Sequence, residues 1–127
     1  MLSSGTSVRV VKADIEGLHV TEYSVEAAPM GDLHTHELHA DAFYVLEGEL
    51  EVALSETETV LLRPGGLAVA PPGAVHAFGV PARARFLNIH APGMNFAAYL
   101  RAIVALSGKG EKPKPELFER YDMHLLE

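Results

Sequence analysis

The feature that most narrows what this chain can become is a succession of short apolar or alternating segments that runs as far as Pro92, punctuated by glycine and proline turns. Residues 7–12 and 18–27 are rich in β-branched side chains and flank Gly17. Residues 42–46, Ala-Phe-Tyr-Val-Leu, stop at Glu47-Gly48. Leu50, Val52 and Leu54 then alternate with Glu49, Glu51 and Ser55, the period of two that marks a strand with one buried face. Residues 57–63 end at Pro64-Gly65-Gly66, and residues 67–70 end at Pro71-Pro72-Gly73. Residues 75–80 and 83–90 follow, divided at Pro81. Many short strands closed by strong turn signals predict an all-β sandwich or barrel rather than alternating βαβ units.

Past Pro92-Gly93 the period lengthens. Phe96, Leu100, Ile103 and Val104 recur at helical spacing, with Asn95 placed to cap the helix and Gly108 to end it. Pro113-Lys114-Pro115 is too stiff for a helix interior, and residues 116–126 predict one more short helix. The 127 residues are one domain's length, with a barrel core over residues 7–91 and a helical segment over 94–126. That is enough chain to bury a core without disulfide staples.

Charge and composition exclude several classes of function. Ten Lys+Arg against seventeen Asp+Glu leave a net charge of -7, which argues against a nucleic-acid partner. No apolar run approaches the roughly 20 residues that cross a bilayer, so no membrane association is expected. Residues 1–6 lack the basic-then-apolar order of a signal peptide, and a cytoplasmic location is the default expectation. The chain has no cysteine, so any metal site must be built without thiolates.

Seven histidines are the informative residues. His34-Thr35-His36 puts two imidazoles on one face of a strand, roughly 7 Å apart along it, where both can reach a single ion. Asp41 stands at the start of the apolar strand 42–46 and reads either as a turn residue facing water or as a ligand. His76 follows Gly73 by three residues, so a proline-glycine turn would fix its backbone. Taken alone, a histidine between Val75 and Ala77 is more often structural than ligating.

Together these residues form two spaced motifs. His34-X-His36-X4-Asp41-X6-Gly48 resembles the first motif of the cupin superfamily, in which two histidines and a glutamate hold a metal. Gly65-X5-Pro71-X-Gly73-X2-His76 resembles the second, whose histidine completes the site. The resemblance spans residues 31–80 and implies a small single-domain cupin of the conserved-barrel (cupin 2) type. The implied fold is a double-stranded β-helix, or jelly-roll barrel, with one or two short C-terminal helices. The implied site is one divalent metal ion on His34, His36, His76 and Asp41. The sequence departs from the pattern at three places. Ala28 stands where a glycine is usual, Val80 where an asparagine is usual, and Asp41 is one methylene shorter than the usual glutamate.

His39 keeps the ligand set open. The run His34-X-His36-X2-His39-X-Asp41-X-Phe43-Tyr44 is similar to the metal segment of quercetin 2,3-dioxygenase-like cupins, which often carry an extra histidine there. His39 is therefore either an alternative fourth ligand or a side chain that supports one. Residues 86–93 are similar to the same group.

Three imidazoles and a carboxylate suit Fe, Mn, Ni, Cu or Zn, and ligand type alone does not choose among them. Strand parity puts Phe43 and Val45 on the face of Asp41, and Phe78 on that of His76, so these side chains are expected to line the metal's cavity. The leading expectation is a metal-dependent enzyme acting on a small organic substrate, with dioxygenase-like chemistry. The alternatives are a non-catalytic cupin that binds a small molecule, and a sugar isomerase or epimerase. Fold does not decide among them. Ala42, Tyr44 and Leu46 make the opposite face of the same strand apolar, which predicts a homodimer.

Overall fold

The structure is a computed structural model, and it describes residues 7–92 together with residues 105, 110, 124 and 125. Among the described residues nine strands follow in order: β1 (Ser7–Ile15), β2 (Leu18–Ala28), β3 (His34–Thr35), β4 (Ala40–Gly48), β5 (Leu50–Ala53), β6 (Thr59–Leu62), β7 (Leu67–Ala70), β8 (Ala77–Ala91) and β9 (His124–Leu125). The main sheet runs β1-β2-β8-β4-β7, with β5 paired to β8 and β6 paired to β5. β3 and β9 form a separate two-stranded ladder. All pairings are antiparallel.

Strand alternation builds the interior. Reading across the inner face of β2, β8 and β4, three rows lie in register. Tyr23, Phe86 and Val45 make one row, Thr21, Asn88 and Phe43 the next, and His19, His90 and Asp41 the third. All nine side chains are buried. The barrel therefore has an apolar end and a polar end. At the apolar end Tyr23 stacks on Phe86 at 5.3 Å, and Phe86 touches Phe78 and Phe43 at 5.4 and 6.3 Å between ring centroids. Leu50, Val52 and Val80 close this core. Each such side chain contributes about 1.5–3 kcal/mol by leaving water. That apolar end is what allows the other end to bury five imidazoles and a carboxylate.

The glycine that closes the first motif has a steric reason. Gly48 has φ 75°, and a Cβ there would run into the Arg83 carbonyl where β4 pairs with β8. Only glycine allows β4 to turn into β5 at that approach.

Two expectations are corrected. Pro81 does not divide two strands, because β8 runs unbroken from Ala77 to Ala91. Its first residues pair with β5 and its later ones with β2 and β4, so Pro81 sits where the strand changes partners. The ladder opposite is irregular between Glu26 and Ala28, the kind of position at which a missing N–H is tolerated. The short helix expected over residues 116–126 is not helical at His124 and Leu125, which pair with Thr35 and His34. The expected stripe of Phe96, Leu100, Ile103 and Val104 lies outside the described residues. Among the described residues no helix is long and apolar enough to cross a membrane.

Candidate metal centre

His34, His36, Asp41 and His76 arrive from three separate parts of the chain. β3 carries His34, with His36 just beyond it. β4 carries Asp41 as its second residue, and His76 immediately precedes β8. Backbone bonds hold these segments together. The His34 N–H donates to the His76 carbonyl at 3.0 Å, and the His76 N–H donates back at 2.9 Å. The Gly73 N–H donates to the His36 carbonyl at 2.7 Å, so the proline-glycine turn, with Gly73 at φ 86°, fixes both histidine-bearing segments.

The four side chains offer one donor atom each, all within 4.8 Å of one another. His36, Asp41 and His76 are buried and His34 is half-buried. The Nδ1 of His34 lies 2.9 Å from the Asp32 carbonyl, and the Nδ1 of His76 lies 3.0 Å from the Ala74 carbonyl. A carbonyl only accepts, so both Nδ1 atoms carry hydrogen. In the neutral rings the Nε2 lone pairs are then left for the site. Nε2 of His76 lies 3.0 Å and Nε2 of His36 3.2 Å from Asp41 Oδ2. A lone pair facing a carboxylate oxygen at that distance is repulsive unless a proton or a metal ion lies between them. The donor set thus fits a divalent transition metal, with His34, His36 and His76 supplying nitrogen and Asp41 supplying oxygen.

The electrostatics agree with that chemistry. Burial, with the neighbouring charge of His76, pushes His34 down to about 4, so it is neutral and able to ligate near neutral pH. Burial alone would raise the Asp41 carboxyl. His90 and the hydrogen bonds from His36 and His76 outweigh it and hold the carboxyl well below its usual range. His90 is itself pushed down to about 3, chiefly by burial. It is therefore neutral, and the contacts with His36 and His76 carry the stronger argument for an ionised Asp41. Burial would lower His76, but the Asp41 carboxylate raises it, the response of an imidazole sharing a site made for a cation.

His39 lies just before β4 and is buried. Its ring stacks on His36 at 4.1 Å, and its Nε2 meets Nδ1 of His90 at 2.7 Å. The structure thus brings His39 against the cluster from behind. Phe43 stands beside His76, with ring centroids 6.3 Å apart, and Phe78 packs on Phe43 at 5.5 Å. Val45 lies one step further along β4 in the closed core.

Four further polar residues belong to this end of the barrel and have no assigned place in the sequence reading: His19, Thr21, Asn88 and His90. Nε2 of His19 contacts the Thr21 hydroxyl, and the His19 ring packs edge-on to His90 at 6.0 Å. Asn88 Nδ2 donates to Asp41 Oδ1 and to the Ala42 carbonyl. The sequence does carry a signal for them. Asn88 and His90 continue the parity of Ala84 and Phe86, and His19 and Thr21 that of Tyr23 and Val25. A polar residue on the buried parity of a strand must face partners inside.

The comparisons with known proteins follow the same line. The family described as "Cupin domain" matches residues 22–90. No curated protein matches the chain. Among solved structures, an uncharacterised conserved protein with a double-stranded β-helix domain from Klebsiella pneumoniae is 27% identical, with a TM-score of 0.62 over 72% of this chain and 76% of that one. KdgF from Halomonas sp. is 28% identical, with a TM-score of 0.60 over 68% and 80% of the two chains. TT1209 from Thermus thermophilus is 29% identical, with a TM-score of 0.61 over 72% and 89%.

Proposed function

The chain belongs to the cupin domain family, and from that premise we propose that it is a metal-dependent enzyme acting on a small organic molecule, with dioxygenase-like chemistry of the quercetinase kind as the activity to test first. The observation that carries the reading is the convergence of three imidazoles and Asp41 Oδ2 beside an aromatic wall. His34, His36, His76 and Asp41 would hold one Fe, Mn, Ni, Cu or Zn ion. When bound, such an ion polarises a coordinated oxygen or lowers the pKa of a coordinated enol or water.

The chain's own residues supply the rest. Asp41 brings the one buried carboxylate among the described residues, which offsets part of the ion's charge. Phe43 and Phe78 offer apolar surface to a planar substrate and keep water from that side. Arg83 and Arg85 are engaged on the outer surface by Glu47 and Glu22. Their placement favours an aromatic or enol-bearing substrate over a phosphorylated sugar.

The test has two stages. Elemental analysis of protein purified without chelator is expected to find one transition-metal ion per chain. Oxygen uptake is then followed with a panel of flavonols and small enols. Turnover with oxygen uptake supports the proposal, and tight binding without turnover would make the chain a binding protein. Failure to bind any of the five metals overturns the reading.

A further inference from the structure

The polar end of the barrel holds more histidine than one metal centre uses. His36, His39 and His90 offer nitrogens within 4.8 Å of one another and have the makings of a second metal site. Two contacts argue against it. The 2.7 Å between His39 Nε2 and His90 Nδ1 is the length of an N–H···N hydrogen bond. Two nitrogens each about 2.0 Å from a tetrahedral ion would stand roughly 3.3 Å apart. The rings of His36 and His39 stack with only 25° between their planes, so their in-plane lone pairs run side by side instead of meeting.

The same contacts form a string that ends on Asp41. Asn88 Nδ2 faces two acceptors, Asp41 Oδ1 and the Ala42 carbonyl at 3.2 Å, which settles the orientation of the amide. Asn88 Oδ1 therefore faces Nε2 of His90, 3.0 Å away, and that nitrogen must carry hydrogen. Nδ1 of His90 in turn stands 2.7 Å from Nε2 of His39, so one of these two nitrogens donates to the other. Each link has one donor and one acceptor, from His39 through His90 and Asn88 to Asp41.

Resting on the four-residue metal centre above, we propose that Asn88 is a positioning residue for Asp41. By donating to Oδ1 it turns the short carboxylate so that Oδ2 faces His36 and His76, while His90 and His39 hold the Asn88 amide from behind. The backbone of Asp41 is pinned by its pairing with His90 on β8 and Ala70 on β7. Only the side-chain torsions remain to be set, and the terminal one is intrinsically broad in aspartate. A hydrogen bond to one oxygen removes that freedom. His39 is the far anchor of the string and not a ligand.

Two measurements test this. Cobalt(II) is titrated into wild type, Asn88→Ala, His90→Gln and His76→Ala, followed by visible absorption. Asn88→Ala is expected to weaken binding by about 10- to 100-fold, as loss of a group that orients a ligand does, and to shift the cobalt bands. His90→Gln keeps an N–H toward Asn88 and is expected to bind close to wild type, while His76→Ala loses the ion. Asn88→Ala binding as tightly as wild type, with the same spectrum, overturns the positioning role and leaves the metal centre standing. Wild type that takes up no cobalt overturns both. The second measurement needs no variant and covers an Asn88→Ala that does not fold. Nitrogen-15 NMR of histidine-labelled wild type with zinc is expected to show hydrogen on Nε2 of His90, and on Nδ1 of His34 and His76. A His90 Nε2 without hydrogen would turn the Asn88 amide round and sink the proposal.

Discussion

His34 and His76 exchange both of their backbone hydrogen bonds, at 3.0 and 2.9 Å, although they stand on opposite sides of the β4 to β7 segments in sequence. Their ring centroids lie 4.4 Å apart as a result. The main chain thus brings the two imidazoles together without help from a metal or from either ring.

Removing either ring should therefore leave the barrel intact. His34→Ala and His76→Ala are each expected to lose most bound metal while keeping the β-sheet circular dichroism and a cooperative melt. Full metal content with unchanged affinity in either variant would show that the site is elsewhere.

Asp41 and His39 are ranked by a metal titration under one buffer. Asp41→Asn keeps the size of the side chain and removes its charge, and affinity is expected to fall by at least about 10- to 100-fold. His39→Ala should cost less, since the polar contact of His39 is to His90, which meets the Asn88 that donates to Asp41. Asp41→Glu restores the residue of the family motif and is expected to keep metal. A neutral Asp41→Asn beside a His39→Ala that empties the site would replace the ligand set with four histidines.

The pH dependence of the metal-free protein has two opposing arms. His34 falls to about 4 and His90 to about 3 on folding, from an ordinary 6.5, so the unfolded chain binds more protons between those values. Their contribution is complete above pH 6.5 and is lost as pH falls from there. For His34 alone that loss is roughly 3 kcal/mol. His76 is raised above 6.5 by Asp41, so the stability it adds is present below 6.5 and fades as pH climbs through its raised value. Urea midpoints measured in chelator from pH 4 to pH 9 should peak near about pH 6.5 to 7. A midpoint unchanged between pH 4.5 and 6.5 would contradict the burial of neutral His34 and His90.

The outer face of β4, β7 and β8 bears on assembly. Tyr44 pairs in register with Leu67 and Leu87, and Ala42 with Val69 and Ile89. Tyr44, Leu67 and Val69 are 37%, 58% and 51% exposed, so three uncharged side chains stand in water on one patch. A second copy would cover them in an isologous contact. Sedimentation is expected to give a dimer for wild type and a monomer for Leu67→Glu with Tyr44→Glu. A monomeric wild type at micromolar concentration would refute the pairing.

The sequence by itself determined most of the alternating strands, the turn at Gly48 and, with the fourth ligand open between Asp41 and His39, the residues that converge on the candidate metal site. These are local or fixed-spacing properties: alternation of two, a positive φ that only glycine enters freely, and motif distances that survive any detail of packing. What Pro81 and residues 116–126 would do was not legible, because a missing N–H matters only relative to a partner strand. β8 changes partners at Pro81, and His124 and Leu125 find theirs in β3. The tertiary structure alone decided the surroundings of Asp41. Asn88 and His90 lie far from it in sequence, and only the antiparallel register of β4 against β8 sets His90 opposite Asp41 and Asn88 opposite Phe43. A hydrogen bond between side chains depends on that register to within one residue, since a slip of one would turn Asn88 and His90 out to solvent.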